Sequence, residues 1–338
     1  MKKDINKKII IGFSIGDYNG IGPEILLKSF MNSQLFDKCI PIIFCDKRIL
    51  EYYNNRFNYK LKIEKKDSSI TKFKDNILYT ISDEESQIII KPGYISKKAG
   101  NYSIKSLKNS IKHLEKNEIH GLVTLPISKI NSHSEFFSFP GHTEFLKSKY
   151  NVEDNIMIMY SKKMIIGFHT GHIKLKDVPT YIKETLIKKK LKLFLNILKN
   201  DFNKKYPKIA ILGLNPHAGE SGMLGSEEIK KIDPIIKELN NKRKNFEGPF
   251  SADAFFGAKE FKNYDGVFSW YHDQGLVGFK SFSFEDGVNY TGGLPIVRTS
   301  PDHGTAFNVS GKGIANENSL IESIKLNIRI INQRMFSK

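Results

Sequence analysis

Cysteine is almost missing from this chain: Cys39 and Cys45 are the two among 338 residues, and both sit in one apolar run, CIPIIFC. Two such residues make no disulfide framework, and no finger-like loop offers the close ligand pairs of a structural zinc site. They read as buried thiols of a reducing compartment. Long apolar runs are missing too. No stretch of about 18 apolar residues exists to cross a membrane as a helix. The N-terminal MKKDINKK is basic, but IIIGFS behind it lacks a long apolar core and a small-residue cleavage site. It reads as a first strand rather than a signal peptide, which points to the cytoplasm. Neither G-x-G-x-x-G nor G-K-[ST] occurs, so a Rossmann fingerprint and a P-loop are excluded.

Arginine is scarce, at six against 47 lysines, although the net charge is +17. Readers of bases and phosphates rely on arginine forks, recognition helices or aromatic sheet motifs, and none of these patterns appears. The lysines are scattered. The charge therefore reads as surface composition that attracts small anions, with no specific nucleic-acid partner and no membrane. A phosphate-ligand or nucleic-acid binding module explains the charge but not the histidine loops described next. A two-metal phosphatase would need a bridging carboxylate that no histidine motif supplies.

What the chain does have is alternation of short apolar runs with amphipathic stretches, the pattern of an α/β protein. Strands are expected at 8–14, 39–45, 121–125, 156–161, 163–170, 208–215 and 266–271. Helices are expected from Pro23, over 102–116, over 180–200 and over 318–334. The glycine turn Gly16–Gly22 before Pro23 and Glu24 allows tight backbone and a helix N-terminus able to attract an anion. Three histidines follow apolar runs in glycine- or proline-bearing segments: His172, His217 and His272, separated by 45 and 55 residues. Imidazoles suit zinc or a similar ion, and an open site would let that ion polarise a substrate oxygen. Asp273 can orient His272, and His303 is a further candidate. Gly141-His142-Thr143-Glu144 can direct polar groups at one ligand or merely cap a helix. Lys280, Asn289 and Arg298 lie nine residues apart. A rare arginine after the apolar GLPIV fits bidentate binding of phosphate or carboxylate, and Lys129 can add a cation.

The segments GDYNGIGPEI, TLPISK, FPGHTEFL, GLNPHAGESGMLGSEE, GPFSADAFF, YHDQGLVGFK and GVNYTGGLPIVRTSPDHGTAF, with GKG at 311–313, together resemble the 4-hydroxythreonine-4-phosphate dehydrogenase (PdxA) family. The resemblance implies an α/β/α isocitrate/isopropylmalate dehydrogenase-like fold with the active site in a cleft between two domains. These would be 1–134 together with 285–338, and 135–284, the latter carrying the metal histidines and much of a dimer interface. It implies NAD or NADP as oxidant and one divalent metal ion per subunit (Zn, Mg or Co) on His172, His217 and His272, with His169 as the alternative to His172. It places substrate on His142, Thr143, Lys280, Asn289 and Arg298, with Asp253 and Lys129 as candidate catalytic residues, in a homodimer with shared active sites. A sister group acts on threonate or erythronate 4-phosphate. Tyr18-Asn19, TLPISK and SGMLGSEE depart from the usual pattern and bear on substrate preference.

Overall fold

β-Branched and aromatic runs seed most of the strands: β1 (Ile9–Ser14), β2 (Cys39–Phe44), β3 (Lys62–Lys65), β4 (Ile77–Thr80), β5 (Gly121–Thr124), β6 (Ile156–Tyr160), β7 (Ile165–Phe168), β8 (Ile209–Leu212), β9 (Phe246–Phe250), β10 (Gly266–Ser269), β11 (Val288–Gly292) and β12 (Arg298–Pro301). The helices are α1 (Gly22–Met31), α2 (Leu35–Lys38), α3 (Lys47–Arg56), α4 (Lys97–Glu115), α5 (Lys129–Ser132), α6 (His142–Lys149), α7 (Glu184–Asn200), α8 (Asp233–Leu239), α9 (Ala252–Gly257), α10 (His272–Ser283) and α11 (Asn318–Phe336). This computed structural model describes residues 8–336 apart from 32–33, 67–71, 83–87, 133–138, 140 and 242, so Met1–Lys7 of the basic N-terminus lie outside the described residues. None of the described helices is long and apolar enough to cross a membrane.

Two units result. Residues 1–145 with 296–332 form unit 1, and 146–295 with 333–338 form unit 2. The boundaries fall inside α6, in the bend before β12 and inside α11; the first two lie about a dozen residues beyond those expected, and the third was not expected.

Unit 1 is a parallel sheet in the order β3-β4-β2-β1-β5-β12. Its inner strands are buried along their length, as a sheet covered on both faces requires. Cys39 and Cys45 are free and buried, and burial pushes the Cys39 thiol up to about 12. α4 starts where the Ser96 hydroxyl accepts from Ala99 N at 3.1 Å. It turns Ala99, Ser103, Ser106, Leu107, Ser110, Ile111 and Leu114 inward. Gly100 is required there, because a Cβ would lie 2.0 Å from Asn131 O of α5.

The glycine turn does not work as an open anion site. Ile11 through Leu27 are buried, and a Cβ at Gly16 (φ 67°) would lie 2.3 Å from Pro126 O. The glycines admit the chain's own backbone. Asp17 is fully buried and accepts from Asn19 N at 2.9 Å and Asn131 Nδ2 at 2.7 Å, so burial raises its pKa while these bonds oppose the rise. Asn19 accepts from Lys91 N at 2.9 Å and donates to Tyr94 O at 2.9 Å. The Tyr18-Asn19 departure thus has a structural job, pinning segment 91–94.

Unit 2 runs β11-β6-β7-β10-β8-β9. β11–β6 and β6–β7 are antiparallel, the latter being the expected hairpin. β7, β10, β8 and β9 are parallel neighbours. Met159, Ile166, Phe168, Leu212, Phe255 and Phe279 lie at the centre of one of its buried clusters. At the C-cap of α7, Asp201 receives Arg334 through Nε at 2.7 Å and Nη2 at 3.0 Å, and Tyr290 OH at 2.5 Å. The Asp201 side chain is 5% exposed and that of Arg334 26%.

Removing one partner of a buried ion pair strands the other. Arg334→Ala should therefore lower the unfolding free energy by ~3–5 kcal/mol in urea titration. A loss below about 1 kcal/mol would show that the pair behaves as a surface bridge.

Candidate active site

Topology explains how distant histidines share one edge. The carboxyl ends of four adjacent parallel strands necessarily lie on one side of the sheet, where ligand-binding loops gather. β7 ends at Phe168 and leads to His172, and β10 ends at Ser269 and leads to His272. β8 ends at Leu212 and leads to His217, and β9 ends at Phe250 and leads to Asp253. In sheet order the row reads His172, His272, His217, Asp253.

Neighbours in the row interact. The His172 and His272 ring centres are 5.0 Å apart. His272 Nδ1 lies 2.7 Å from Asp273 Oδ1, which as acceptor leaves Nε2 for a ligand. His272 opens α10 rather than sitting in a loop, as the sequence suggested. His217 is near enough for its charge to act on Asp253, whose carboxyl is held below the usual range chiefly by the Ser251 hydroxyl at 2.5 Å. That makes Asp253 an ionised but weak base. The strand exits are laced together. Trp270 Nε1 donates to Leu212 O at 2.5 Å, Gln274 Nε2 donates to Gly213 O at 2.6 Å, and Trp270 N donates to Gln274 Oε1 at 2.8 Å. Asp253, Tyr271, Asp273, Gln274 and Phe256 border a hollow of about 540 Å³.

The donor chemistry of this row fits a divalent ion. Rings 5.0 Å apart can each bring a nitrogen within about 2.0–2.1 Å of one zinc-sized ion. Among the described residues no three His, Cys, Asp or Glu side chains stand together as a complete ligand group. His217 is one strand removed from the His172–His272 pair in the sheet order. His169, the alternative to His172, keeps a buried Nδ1 without a hydrogen-bond partner. It is 6% exposed, its Nε2 lies 2.9 Å from Tyr181 O, and its ring packs edge-on against Trp270.

Lys280 is half-buried on α10 with its Nζ 5.9 Å from the Phe284 ring centre. Asn289 lies on β11, and its Oδ1 is buried without a hydrogen-bond partner. Lys280 falls inside a helix because α10 continues from His272, and Asn289 falls in a strand because β11 pairs it with Met159.

Unit 1, by itself, holds a buried cation. Arg298 opens β12, at the start of a strand rather than after one, because 294–297 forms a bend. It is 3% exposed, and its Nε and Nη2 donate to Thr124 Oγ1 at 3.0 and 2.6 Å. Burial pulls the guanidinium down to about 10, while Glu144 acts the other way, so it stays cationic at neutral pH. His142 opens α6, followed by Thr143. Its Nε2 is sealed from solvent without a hydrogen-bond partner. Burial, and then the charge of Arg298, holds its pKa well below 6.5, so the ring is neutral. Lys129 is exposed at the start of α5. His303 is half-buried and belongs to unit 1, whereas the histidine row belongs to unit 2.

One buried group escaped the sequence reading. Glu228 is 1% exposed, and its Oε1 accepts from Leu214 N and Asn215 N, both at 2.8 Å. A Glu-Glu pair before a helix looks like an ordinary solvated helix start, so composition alone gave no signal.

The family model for the pyridoxal phosphate biosynthetic protein PdxA matches residues 37–327. The 4-hydroxythreonine-4-phosphate dehydrogenase of Bacteroides thetaiotaomicron is 37% identical, covering 98% of this chain and 91% of that protein. An Oceanobacillus iheyensis protein named as a candidate D-threonate 4-phosphate dehydrogenase is 36% identical, covering 95% and 97%. The solved 4-hydroxythreonine-4-phosphate dehydrogenase of Klebsiella pneumoniae superposes with a TM-score of 0.82 at 30% identity, covering 97% and 98%. Isocitrate dehydrogenase from Methylococcus capsulatus shares the fold at a TM-score of 0.51 and 11% identity, covering 97% and 87%. A strand edge lined with histidines and a buried arginine thus stand within one matched length of sequence, and the chain belongs to the PdxA family.

Proposed function

We propose that the chain is a dehydrogenase that oxidises the C3 hydroxyl of 4-phosphooxy-L-threonine with NAD or NADP. The product, 2-amino-3-oxo-4-(phosphooxy)butanoate, is a β-keto acid that loses CO₂ to give 3-amino-2-oxopropyl phosphate. Family membership supports the reaction class. The observation that carries the phosphorylated substrate is Arg298. It is a buried guanidinium that stays cationic, and its fork can bind an anion through charge-assisted hydrogen bonds.

His172, His217 and His272 are the residues that would hold a divalent ion, which when bound lowers the pKa of a coordinated hydroxyl and polarises a carbonyl. The chain's own groups do the rest. Asp273 fixes the His272 tautomer. Asp253 sits beside the row as an ionised carboxylate able to take a proton through solvent. Lys129 is the other candidate base. Arg298 grips the phosphate, with Lys280, Asn289 and Thr143 as further substrate contacts, so binding energy remote from C3 orients the reacting carbon. Neutral His142 can donate one hydrogen bond without adding charge beside Arg298.

D-Threonate or erythronate 4-phosphate is the second substrate reading, favoured by the similarity to the Oceanobacillus protein. It keeps the phosphate grip and replaces the amino group by a hydroxyl. Absorbance of reduced nicotinamide, followed with each phosphate ester, separates the two. Turnover of neither, with a divalent metal supplied, would refute the dehydrogenase reading.

Arg298→Lys removes the planar fork. A charge-assisted hydrogen bond contributes ~1.5–3 kcal/mol, so KM should rise about 10- to 100-fold. Unchanged steady-state kinetics would exclude the phosphate role.

His142 should stay neutral as pH falls from about 8 to about 6. The unfolded ring protonates near 6.5 and the folded one well below it. Its contribution to stability is therefore full above about pH 6.5 and is lost as pH falls from there toward the folded value. Histidine NMR titration, with His142→Gln for assignment, checks this. A midpoint near 6.5 for that ring would refute it.

The reading includes a homodimer with shared active sites. A solution mass of one chain, with full activity, would remove it.

A further inference from the structure

Beyond β8 the chain takes a conformation that L residues avoid. His217, Ala218, Gly219, Glu220 and Ser221 have φ of 51°, 50°, 84°, 42° and 54°, with ψ between 0° and 59°. This is a run of left-handed helix, in which each non-glycine Cβ crowds its own backbone. Such a run persists only where surrounding structure over-determines it, and strain of this kind gathers at functional sites.

Glu228 does the holding. Its carboxylate enters the loop from the π-turn Glu228–Ile232. Oε1 takes Leu214 N and Asn215 N at 2.8 Å each, and Oε2 takes Asn215 Nδ2 at 2.9 Å. Asn215 Nδ2 also reaches Glu227 Oε2 at 2.9 Å. Asn215 O in turn accepts from Ala218 N at 3.1 Å, which carries the grip into the left-handed run beside His217. The far end is closed by Leu224 N donating to Gly219 O and Met223 N donating to Glu220 O, both at 3.1 Å. The fit is tight. A Cβ on Gly219 would lie 2.7 Å from Glu228 Oε2, and one on Gly213 would lie 2.7 Å from the Ala218 Cα.

We infer that Glu228 is a positioning residue for His217: it touches no substrate, and it clamps the left-handed turn that presents the imidazole at the strand edge. The inference rests on the reading of His217 as a metal ligand. Groups behind metal ligands commonly change metal affinity or activity by about 10- to 100-fold when altered.

The test uses Co²⁺ as probe and the purified full chain. Glu228→Gln keeps the size and one acceptor oxygen but turns a donor toward the Asn215 amide. Asn215→Ala loosens the same clamp from the other side and serves if Glu228→Gln does not fold. Co²⁺ affinity is read by calorimetry, thermal midpoint by circular dichroism, and kcat by nicotinamide reduction. Either variant should weaken Co²⁺ binding about 10- to 100-fold and lower kcat. In a His217→Ala background neither should weaken Co²⁺ binding further, because the clamp acts through that ring. A lower thermal midpoint with unchanged Co²⁺ affinity, or losses that add in the double variant, would overturn the positioning role. Full Co²⁺ affinity in His217→Ala, or none in the unaltered chain, would instead overturn the ligand reading beneath it.

Discussion

Everything proposed for unit 2 depends on one constraint: parallel strands point the same way. β7, β10, β8 and β9 are joined by crossovers, because parallel neighbours cannot be linked by tight hairpins. The path from His172 to His217 spends its length on one crossover through α7, and the path from His217 to His272 passes through α8, β9 and α9. Separations of 45 and 55 residues are what such crossovers consume. Spacing that rules out a local metal loop is therefore the spacing a shared strand edge demands. His172 and His272 meet because β10 lies beside β7, although 100 residues separate them.

Both units keep costly features where chemistry is expected. The left-handed run at 217–221 contains four non-glycine residues, each disfavoured by roughly 1–2 kcal/mol. In unit 1 Arg298 is buried, and in unit 2 the Asn289 Oδ1 is buried without a partner, as is His142 Nε2 in unit 1. An unmet buried polar atom costs about 1–3 kcal/mol. Asp17, by contrast, collects both Asn19 N and Asn131 Nδ2. His142 and Asn289 are also two of the residues to which the family resemblance assigned substrate.

Much of this was legible in the sequence, for identifiable reasons. IIIGFS, CIPIIF and IAIL read as strands because buried parallel strands are continuously apolar. The histidines stood out because each follows such a run. What was not legible depended on long-range contacts. β12 begins at Arg298 although RTSP has no strand character, since pairing with β5 decides it. The glycine turn looked like an anion cradle, yet Pro126 and Thr305 fill the space its glycines leave. α10 was missed because GLVGF resembles a strand, while Gly275 and Gly278 are small for packing against Phe168 and Phe256. Glu228 was invisible because its partners are main-chain amides more than ten residues earlier, and no side-chain pattern encodes them.

The scarcity of arginine carries a final physical lesson. Lysine supplies most of the positive charge, and its ammonium is a flexible point charge. Four of the six arginines stand where a planar fork does something an ammonium cannot. Arg334 takes both oxygens of Asp201, and Arg48 takes both of Asp46. Arg243 lies 3.4 Å over the Tyr206 ring, a stacking contact. Arg298 directs Nε and Nη2 at one hydroxyl. Each of these four marks a site with directional demands. At Arg298 the fork is buried and keeps its charge, and its geometry suits two oxygens of one phosphate or carboxylate group.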